Sequence, residues 1–430
     1  MTQDKKKLLS TILIILMFLI AAISIGRILT KGLGERAIDF HSFWYAGHFI
    51  WQGVDPYKAQ IEGMQVRLPY QYLDGPTAAQ EPPMLWVSPG NTAPFVLAVS
   101  LLSLFSWPVA FKAWAAINLI LGAAIVWLVL RLLGRRMRSR EGLVLLATFF
   151  SFISMRAVLE YGQTSVFVLT FMLVALLLIR RSPLLAGAAL GIALSKYSLT
   201  FPVLLLFLYQ RRWKAIGVSI AVQLAGIAAI AWLGNSTPQD VLAEYARIQL
   251  GMWDSNGIHL RATLLKDWGP WAYAVLVPGS LAVFALLARC HKSRRAAGRV
   301  FDHLTELHLV SIIMLWSLLA VYHRFYDNTG AILFVALVII YAGKPVDQEA
   351  AYQLSSRQRA AVYAITGVVA VIWILPAYLV VGDVPYTYLF ALSNLAALVL
   401  SVWLIFKIEP QAATMRRGAI TQEARYDACS

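Results

Sequence analysis

Long apolar runs recur along the whole chain, and they constrain its fold more than any other feature. The first run, LLSTILIILMFLIAAISIGRIL at 8–29, is long enough to cross about 30 Å of hydrocarbon at about 1.5 Å per helical residue. Of the 430 residues, 59% are hydrophobic and only 14% are charged. A soluble protein of this length does not carry so few charges, so the sequence predicts an all-α polytopic membrane protein.

The basic residues form short clusters between the apolar runs, which is typical of topology signals. The formal net charge of +15 therefore does not indicate a nucleic-acid surface. Lys5–Lys7 precede the first run and RLLGRRMRSR occupies 131–140, so both are predicted to be cytoplasmic. The first run lacks an A-x-A-like cleavage site and is followed by many others, which favours a membrane anchor over a signal peptide. Cys290 and Cys429 fall in predicted cytoplasmic segments, so no disulfide is expected.

The positive-inside rule predicts about twelve crossings, with both termini in the cytoplasm. The short run at 93–107 ends in Trp-Pro and suits an interfacial or re-entrant helix, while the next run at 109–133 is predicted to cross. The half-length runs 184–195 and 198–209 predict a shallow hairpin. The other predicted crossings are 142–159, 164–179, 215–233, 270–289, 306–322, 329–342, 360–381 and 386–406.

Polar residues from distant parts of the chain gather on the outward face of this map. The outward segments are the loops 30–91 and 234–269 and three corners, EYGQ (160–163), SKYS (195–198) and HRFYDN (323–328). They carry Asp39, Glu160, Lys196, Arg261, Lys266, His323, Arg324 and Asp327. Such a constellation is a site hypothesis, although each residue taken singly also has a structural explanation, because loops must be polar somewhere.

The stretch IDFHSFWYAGHFIWQGVDPY at 38–57 predicts a helix that lies in the headgroup layer, since aromatic residues favour the interface. Helical spacing puts Phe40, Phe43, Trp44, Gly47 and Trp51 on one face, and His41, Ser42, Tyr45 and His48 on the other. Asp39 stands at the expected N-cap position. Two roles stay open for it: a helix cap, or a carboxylate at phosphate depth that takes a proton from an attacking hydroxyl.

Two of the corners and the loop 234–269 add candidate basic residues to this carboxylate. Lys196 lies between two half-spans, where burying an ammonium group costs free energy unless it pairs with an anion. The candidate partners for Lys196 are a lipid phosphate, Glu160 and backbone carbonyl groups. Arg261 and Lys266 either bind phosphate or extend from a loop helix towards water. For His323 a structural role and a role in the site both stay open, because Arg324 is the next residue and Asp327 follows four positions later.

Motifs of rival chemistries are missing from the sequence. It contains no HExxH, no CxxC pair, no Walker or GxGxxG motif after a strand, and no DxD metal pair. An outward-facing membrane enzyme has no nucleotide sugars to use, so an activated lipid phosphate is a reasonable donor.

Five stretches in order over 38–340 carry a family resemblance. They are DFHSFWYAGHFIWQGVDPY, EPPML, EYGQTSVFVLTFMLVALLL, AGAALGIALSKYSLTFPVLLLFLYQRRWKA and YHRFYDNTGAILF. Together they resemble glycosyltransferase family 87, polytopic enzymes of the GT-C type that include polyprenyl-phosphate-mannose-dependent mannosyltransferases. The resemblance implies one GT-C domain over 1–409, with juxtamembrane helices in the outward loop 30–108, and a cytoplasmic tail at 410–430.

The resemblance also implies an inverting transfer of a hexose, with mannose as the first candidate. The donor would be a polyprenyl-phosphate sugar, and the acceptor a lipid- or glycan-linked sugar on the outer face of the cytoplasmic membrane. No metal or other cofactor is expected. Asp39 would be the general base, and Lys196, Arg261 and Lys266 would bind the donor phosphate. The remaining implied substrate contacts are His41, Tyr45, Glu160, Gln163, His323, Arg324 and Asp327.

Two other function classes stay open. A transporter or flippase of a lipid-linked saccharide would need charges buried in mid-span and often shows repeated halves, and the sequence shows neither. A non-catalytic membrane assembly protein agrees with the composition, and only the outward polar constellation argues against it.

Overall fold

The structure is a computed structural model that describes residues 3–31, 38–62, 90–252, 259–296, 303–321, 323–342, 354–374 and 387–406. Within these ranges the chain is helical and forms no strand, as predicted. It divides into two compact units: unit 1 is Met1–Gly257 with Tyr322–Thr329, and unit 2 is Ile258–Val321 with Gly330–Ser430. The predicted tail at 410–430 and Cys429 lie outside the described residues, and Cys290 is buried and forms no disulfide with another described cysteine.

Unit 1 contains twelve described α-helices. They are α1 Gln3–Lys31, α2 Ile38–Trp51, α3 Pro56–Ile61, α4 Ala93–Ser100, α5 Trp107–Leu132, α6 Arg140–Ser151, α7 Ile153–Tyr161, α8 Ser165–Leu178, α9 Pro183–Ala193, α10 Tyr197–Tyr209, α11 Trp213–Leu233 and α12 Pro238–Met252. Short 3-10 helices occur at Leu101–Leu104 and Leu194–Lys196, and a third begins at Phe325.

Unit 2 holds α13 Tyr273–Ala296, α14 His303–Ala320, α15 Ile332–Ala342, α16 Ser356–Ile374 and α17 Thr387–Phe406. His308 of α14 joins three of these helices: its ring nitrogens lie 3.0 Å from the Tyr341 hydroxyl and 2.9 Å from the Ser401 carbonyl oxygen. Because one neutral imidazole has one donor and one acceptor nitrogen, a single tautomer satisfies both contacts.

Prolines and caps explain where several helices of unit 1 begin. Pro108 lies in the first turn of α5 and Pro183 in that of α9, where the missing N–H costs no hydrogen bond. The Ser139 hydroxyl accepts from the backbone N–H of Gly142 at 3.1 Å and caps α6. The long apolar helices α5 and α11 begin and end close to the predicted boundaries, which were 109–133 and 215–233.

The chain reverses direction between α9 and α10. α9 and α11 run side by side in the same direction: a Cβ added to Gly187 would lie 2.5 Å from the Ala215 carbonyl oxygen, and one added to Gly191 would lie 2.6 Å from Cβ of Val222. Because α11 starts beside the start of α9, the 13 residues of α10, about 20 Å long, must return the chain. The backbone leaves the helical region at Lys196 (φ −130°, ψ 85°). The predicted hairpin is confirmed, with Lys196 at its tip.

Length and composition single out seven described helices that could cross a membrane, or eight if the bent pair α6–α7 counts as one span. The seven include Pro183–Tyr209, which the contacts of α9 and α11 divide into a hairpin. The predicted runs at 93–107, 164–179 and 329–342 correspond to shorter apolar helices, and the run at 8–29 lies within the 29-residue helix α1. A helical membrane protein is therefore supported, whereas the number twelve is not.

The structure adds detail to two predicted segments. The run at 142–159 is not a straight span, because α6 and α7 meet at a bend of 53°. The outward loop 234–269 contains a helix, α12, where the sequence analysis expected none. Thr237 and Asp240 form its N-terminal cap, with their side chains 2.6 Å apart and the Asp240 N–H donating to the Thr237 hydroxyl at 3.2 Å.

Most of the aromatic face of α2 packs inside the protein, whereas Trp51 at its end is 47% exposed. Phe40, Phe43 and Trp44 are each at most 3% exposed. Phe40 stacks on Trp114 of α5 with the ring centroids 5.7 Å apart, and Phe43 meets Phe95 of α4 edge to face. Residues 42–50 are buried on both faces, and a helix that is apolar all round belongs in a core. This packing fixes the position of the first turn of α2, which carries Asp39.

Candidate functional site

Asp39 lies within the first turn of α2 and is partly buried. It follows Ile38 inside the helix and is therefore not the N-cap that its position in the sequence predicted. Its carboxylate instead accepts a hydrogen bond from the side-chain amide of Gln163. The helix N-terminus also favours a negative charge at this position.

Gly162 brings Gln163 to Asp39. It ends α7 in the left-handed region (φ 69°), and its carbonyl oxygen accepts from the Trp114 indole N–H at 2.9 Å. A Cβ at this position would lie 2.3 Å from Cβ of Phe40, the residue after Asp39. Both the backbone conformation and the close approach of α2 therefore require glycine here.

Replacing Gly162 with alanine is expected to destabilise unit 1 and to weaken any activity that depends on Asp39. The left-handed backbone costs about 1–2 kcal/mol for alanine, and the overlap with Phe40 adds about 1–3 kcal/mol. Gly134→Ala is the matched control, because Gly134 has φ 67° but open space around its Cβ position. Unfolding of both variants in detergent would be compared, and equal losses of stability would contradict the claim of close packing at Gly162.

The corner after α14 provides a second carboxylate, Asp327, which is 1% exposed. Its Oδ1 accepts from the Ser165 hydroxyl and the Lys196 ammonium, each at 2.5 Å. Its Oδ2 accepts from His323 Nδ1 at 3.2 Å and from the Arg324 backbone N–H at 3.3 Å. Burial alone would raise the pKa of Asp327, but Lys196 and His323 lower it well below its usual range. Asp327 is therefore a fully bonded, ionised carboxylate.

Lys196 is the accessible member of this ion pair. Its side chain is 17% exposed, against 2% for Asp327, and its ammonium lies 4.8 Å from the centre of the Tyr326 ring. The hairpin tip is itself held in place, because the Thr92 N–H donates to the Ser195 carbonyl oxygen at 3.1 Å. The partner of Lys196 within the chain is thus Asp327, whereas the sequence analysis had considered Glu160 or backbone carbonyls.

Charges from two segments, the corner after α14 and the hairpin tip, act on Asp39. Burial raises the pKa of Asp39 above its ordinary value; the hydrogen bond from Gln163 and the charges of Arg324 and Lys196 lower it, and Asp327 raises it. Burial prevails, so the carboxyl is a stronger base than an exposed aspartate. Arg324 is exposed, so this cluster borders the surface of unit 1.

The other predicted substrate contacts in this unit are His41, Tyr45 and Glu160. The His41 ring packs on Trp107 with the centroids 3.7 Å apart, and burial lowers its pKa to about 4, so it is neutral at pH 7. Tyr45 is buried and lies beside His41, with ring centroids 5.5 Å apart. Glu160 is half-buried in the last turn of α7. Substrate contact by these three residues stays a prediction.

The two predicted phosphate ligands of the later loop belong to unit 2. Arg261 donates to the Tyr273 hydroxyl at 3.1 Å and lies 5.7 Å from the centre of that ring. Lys266 is exposed at the start of the 3-10 helix Lys266–Ala272. Their predicted role is not tested by these contacts.

Sequence reasoning missed two residues of the cluster. Ser165 donates to Asp327, and Tyr326 lies beside the Lys196 ammonium. Ser165 lies in EYGQTS and Tyr326 in YHRFYDN, two stretches that already carry predicted site residues. The signal that could have identified them is their position beside those residues. Among the described residues, no three His, Cys, Asp or Glu side chains come together as metal ligands would.

Comparison with known proteins supports the family that the sequence resembles. No curated protein matches the chain, and no solved structure does. The sequence profile of glycosyltransferase family 87 matches residues 91–342, more than half of the chain, and this region contains the hairpin tip, Gln163 and the Asp327 corner. The protein is therefore a member of glycosyltransferase family 87, and a membrane glycosyltransferase.

Proposed function

We propose that this protein transfers a hexose, with mannose as the first candidate, from a polyprenyl-phosphate sugar to a lipid- or glycan-linked acceptor. Asp39 is the general base: it takes the proton of the acceptor hydroxyl as the oxygen attacks the anomeric carbon and the lipid phosphate leaves. The observation that carries this proposal is the partly buried Asp39 carboxylate, which accepts a hydrogen bond from Gln163 and interacts with the charges of Lys196 and Arg324.

Of the two carboxylates that interact in the described cluster, Asp39 and Asp327, one is available to a substrate, which favours inversion at the anomeric carbon. A retaining enzyme of the two-carboxylate kind needs a second carboxylate as nucleophile. Asp327 is the nearby candidate, but four hydrogen bonds from Ser165, Lys196, His323 and the Arg324 backbone hold it. Of these two described carboxylates, Asp39 is then the one left to accept a proton, and one inverting displacement requires one such base.

The developing charge on the leaving phosphate needs cations. Lys196 and Arg324 are proposed to supply them from unit 1, with Arg261 and Lys266 as further ligands. We also propose a GT-C bundle of about twelve crossings in the cytoplasmic membrane, with the site facing outward and both termini cytoplasmic. No metal or other cofactor takes part in this proposal.

The test is transfer itself. Purified protein in nanodiscs would receive polyprenyl-phosphate mannose and, separately, other polyprenyl-phosphate hexoses, with a membrane lipid extract as acceptor. A new glycolipid whose anomeric configuration is opposite to that of the donor is expected. Retention of configuration would contradict the assignment of one base.

The pH dependence of transfer reports on Arg324. Asp39 has to be ionised, so the rate falls as the pH drops through its pKa, and burial places that fall above the range of an ordinary aspartate. Arg324 lowers this pKa, so Arg324→Gln is expected to move the fall in rate to higher pH. Arg247→Gln, which removes the same charge from an exposed position on α12, serves as the control. A shift to lower pH, or the same shift in both variants, would contradict the assignment.

A further inference from the structure

The charges of the cluster balance before any donor arrives. Lys196 and Arg324 are cations, while Asp327 and the ionised form of Asp39 are anions, so their formal sum is zero. A polyprenyl-phosphate sugar is a phosphodiester and brings one further negative charge. If Lys196 turns to that phosphate, Asp327 loses its strongest partner while it stays buried, which is a costly arrangement.

Resting on the proposed function, we infer that binding of the donor phosphodiester is coupled to the uptake of one proton by His323, which then replaces Lys196 as the counter-charge of Asp327. His323 is therefore a positioning residue: it acts through Asp327 and Lys196 and does not touch the sugar.

The geometry of His323 suits this exchange. The ring is 0% exposed, and its Nδ1 lies 3.2 Å from Asp327 Oδ2. Because an ionised carboxylate only accepts, Nδ1 already carries a hydrogen in the neutral ring, so protonation at Nε2 adds charge without breaking this bond. A cation formed here would meet Asp327 on the oxygen opposite the one that Lys196 occupies.

The charged groups around His323 explain why it is neutral without donor. Burial lowers its pKa, the neighbouring Asp327 raises it, and Lys196 lowers it again. Arg324 is the next residue in the chain, and Asp39 interacts with Arg324, Lys196 and Asp327. Once the phosphate compensates the charge of Lys196, the repulsion between Lys196 and a protonated His323 weakens, while the attraction of Asp327 remains.

Donor binding in the absence of acceptor tests this coupling. Polyprenyl-phosphate mannose is suited to it, because a phosphodiester does not titrate between about pH 5 and 8 and so takes up no proton itself. The affinity of the wild type for the donor should rise as the pH falls. The rise should be at most about tenfold per pH unit, which is the largest dependence that the uptake of one proton can give. Calorimetry in two buffers of different ionisation enthalpy should show uptake of close to one proton by the wild type.

Variants identify the group that takes the proton. His323→Gln should bind the donor with an affinity that no longer depends on pH, whereas His48→Gln, at another buried histidine, should keep the dependence. Asp39→Asn should also keep it, which separates His323 from the proposed base. Wild-type binding that is independent of pH, or a loss of the dependence in Asp39→Asn alone, would overturn the inference and leave the proposed function intact. No saturable binding of any polyprenyl-phosphate sugar would overturn both.

Discussion

Sugar transfer is expected to fall by about 10²- to 10⁴-fold when Asp39 is replaced by asparagine, because this is the usual contribution of a positioned general base. Asparagine keeps the size of the side chain, and it can still form a hydrogen bond with Gln163 if one of the two side-chain amides is flipped. However, it cannot take a proton from the acceptor. Since the donor phosphate is proposed to bind through cations, donor affinity should change much less than the rate. The measurement is the single-turnover rate beside donor binding by calorimetry.

Asp240→Asn is the matched control for this substitution. It makes the same chemical change at an exposed position on α12 and should leave the transfer rate unchanged. Transfer by Asp39→Asn at the rate of the Asp240→Asn protein would remove Asp39 from the mechanism.

Replacing Asp327 with asparagine is expected to have the largest effect on stability. Removing one partner of a buried ion pair costs about 3–5 kcal/mol, because the other charge is left without compensation. Lys196 is only 17% exposed, so water replaces the carboxylate poorly. The free energy of unfolding in detergent, followed by denaturant titration, is the measurement.

A double variant separates the ion pair from the packing around it. Lys196→Met with Asp327→Leu removes both charges and should regain most of the lost stability, since apolar replacements of buried pairs are often tolerated. It should not regain transfer, because Lys196 is proposed to face the donor phosphate. Equal instability of Asp327→Asn and the double variant would contradict a dominant ion pair.

Features that depend on local pattern were predictable from the sequence. The long apolar helices α5 and α11 lie close to the predicted boundaries, and the reversal at Lys196 follows from two runs too short to span. The capping pattern Thr237-Pro-Gln-Asp240 also indicates the start of α12, although the polar composition of 234–269 favours a loop.

Features that depend on tertiary contact were not predictable in this way. No glycine or proline marks the bend at Phe152; the neighbouring Ser151 hydroxyl donates to the Met17 carbonyl oxygen of α1 at 2.8 Å. The pairing of Lys196 with Asp327 joins residues 131 positions apart, and no periodicity reveals such a partner. Likewise, aromatic residues on α2 indicate either lipid or core, and only the packing against α4 and α5 decides between them.

The measurement that tests the central claim most directly follows label from polyprenyl-phosphate mannose into a glycolipid, with the wild type and Asp39→Asn side by side in nanodiscs. Transfer by the wild type, with donor still bound but not turned over by Asp39→Asn, is the predicted result. Transfer by both proteins at similar rates would contradict the assignment of Asp39 as the base. Absence of transfer by the wild type with every polyprenyl-phosphate hexose offered would contradict the proposed donor.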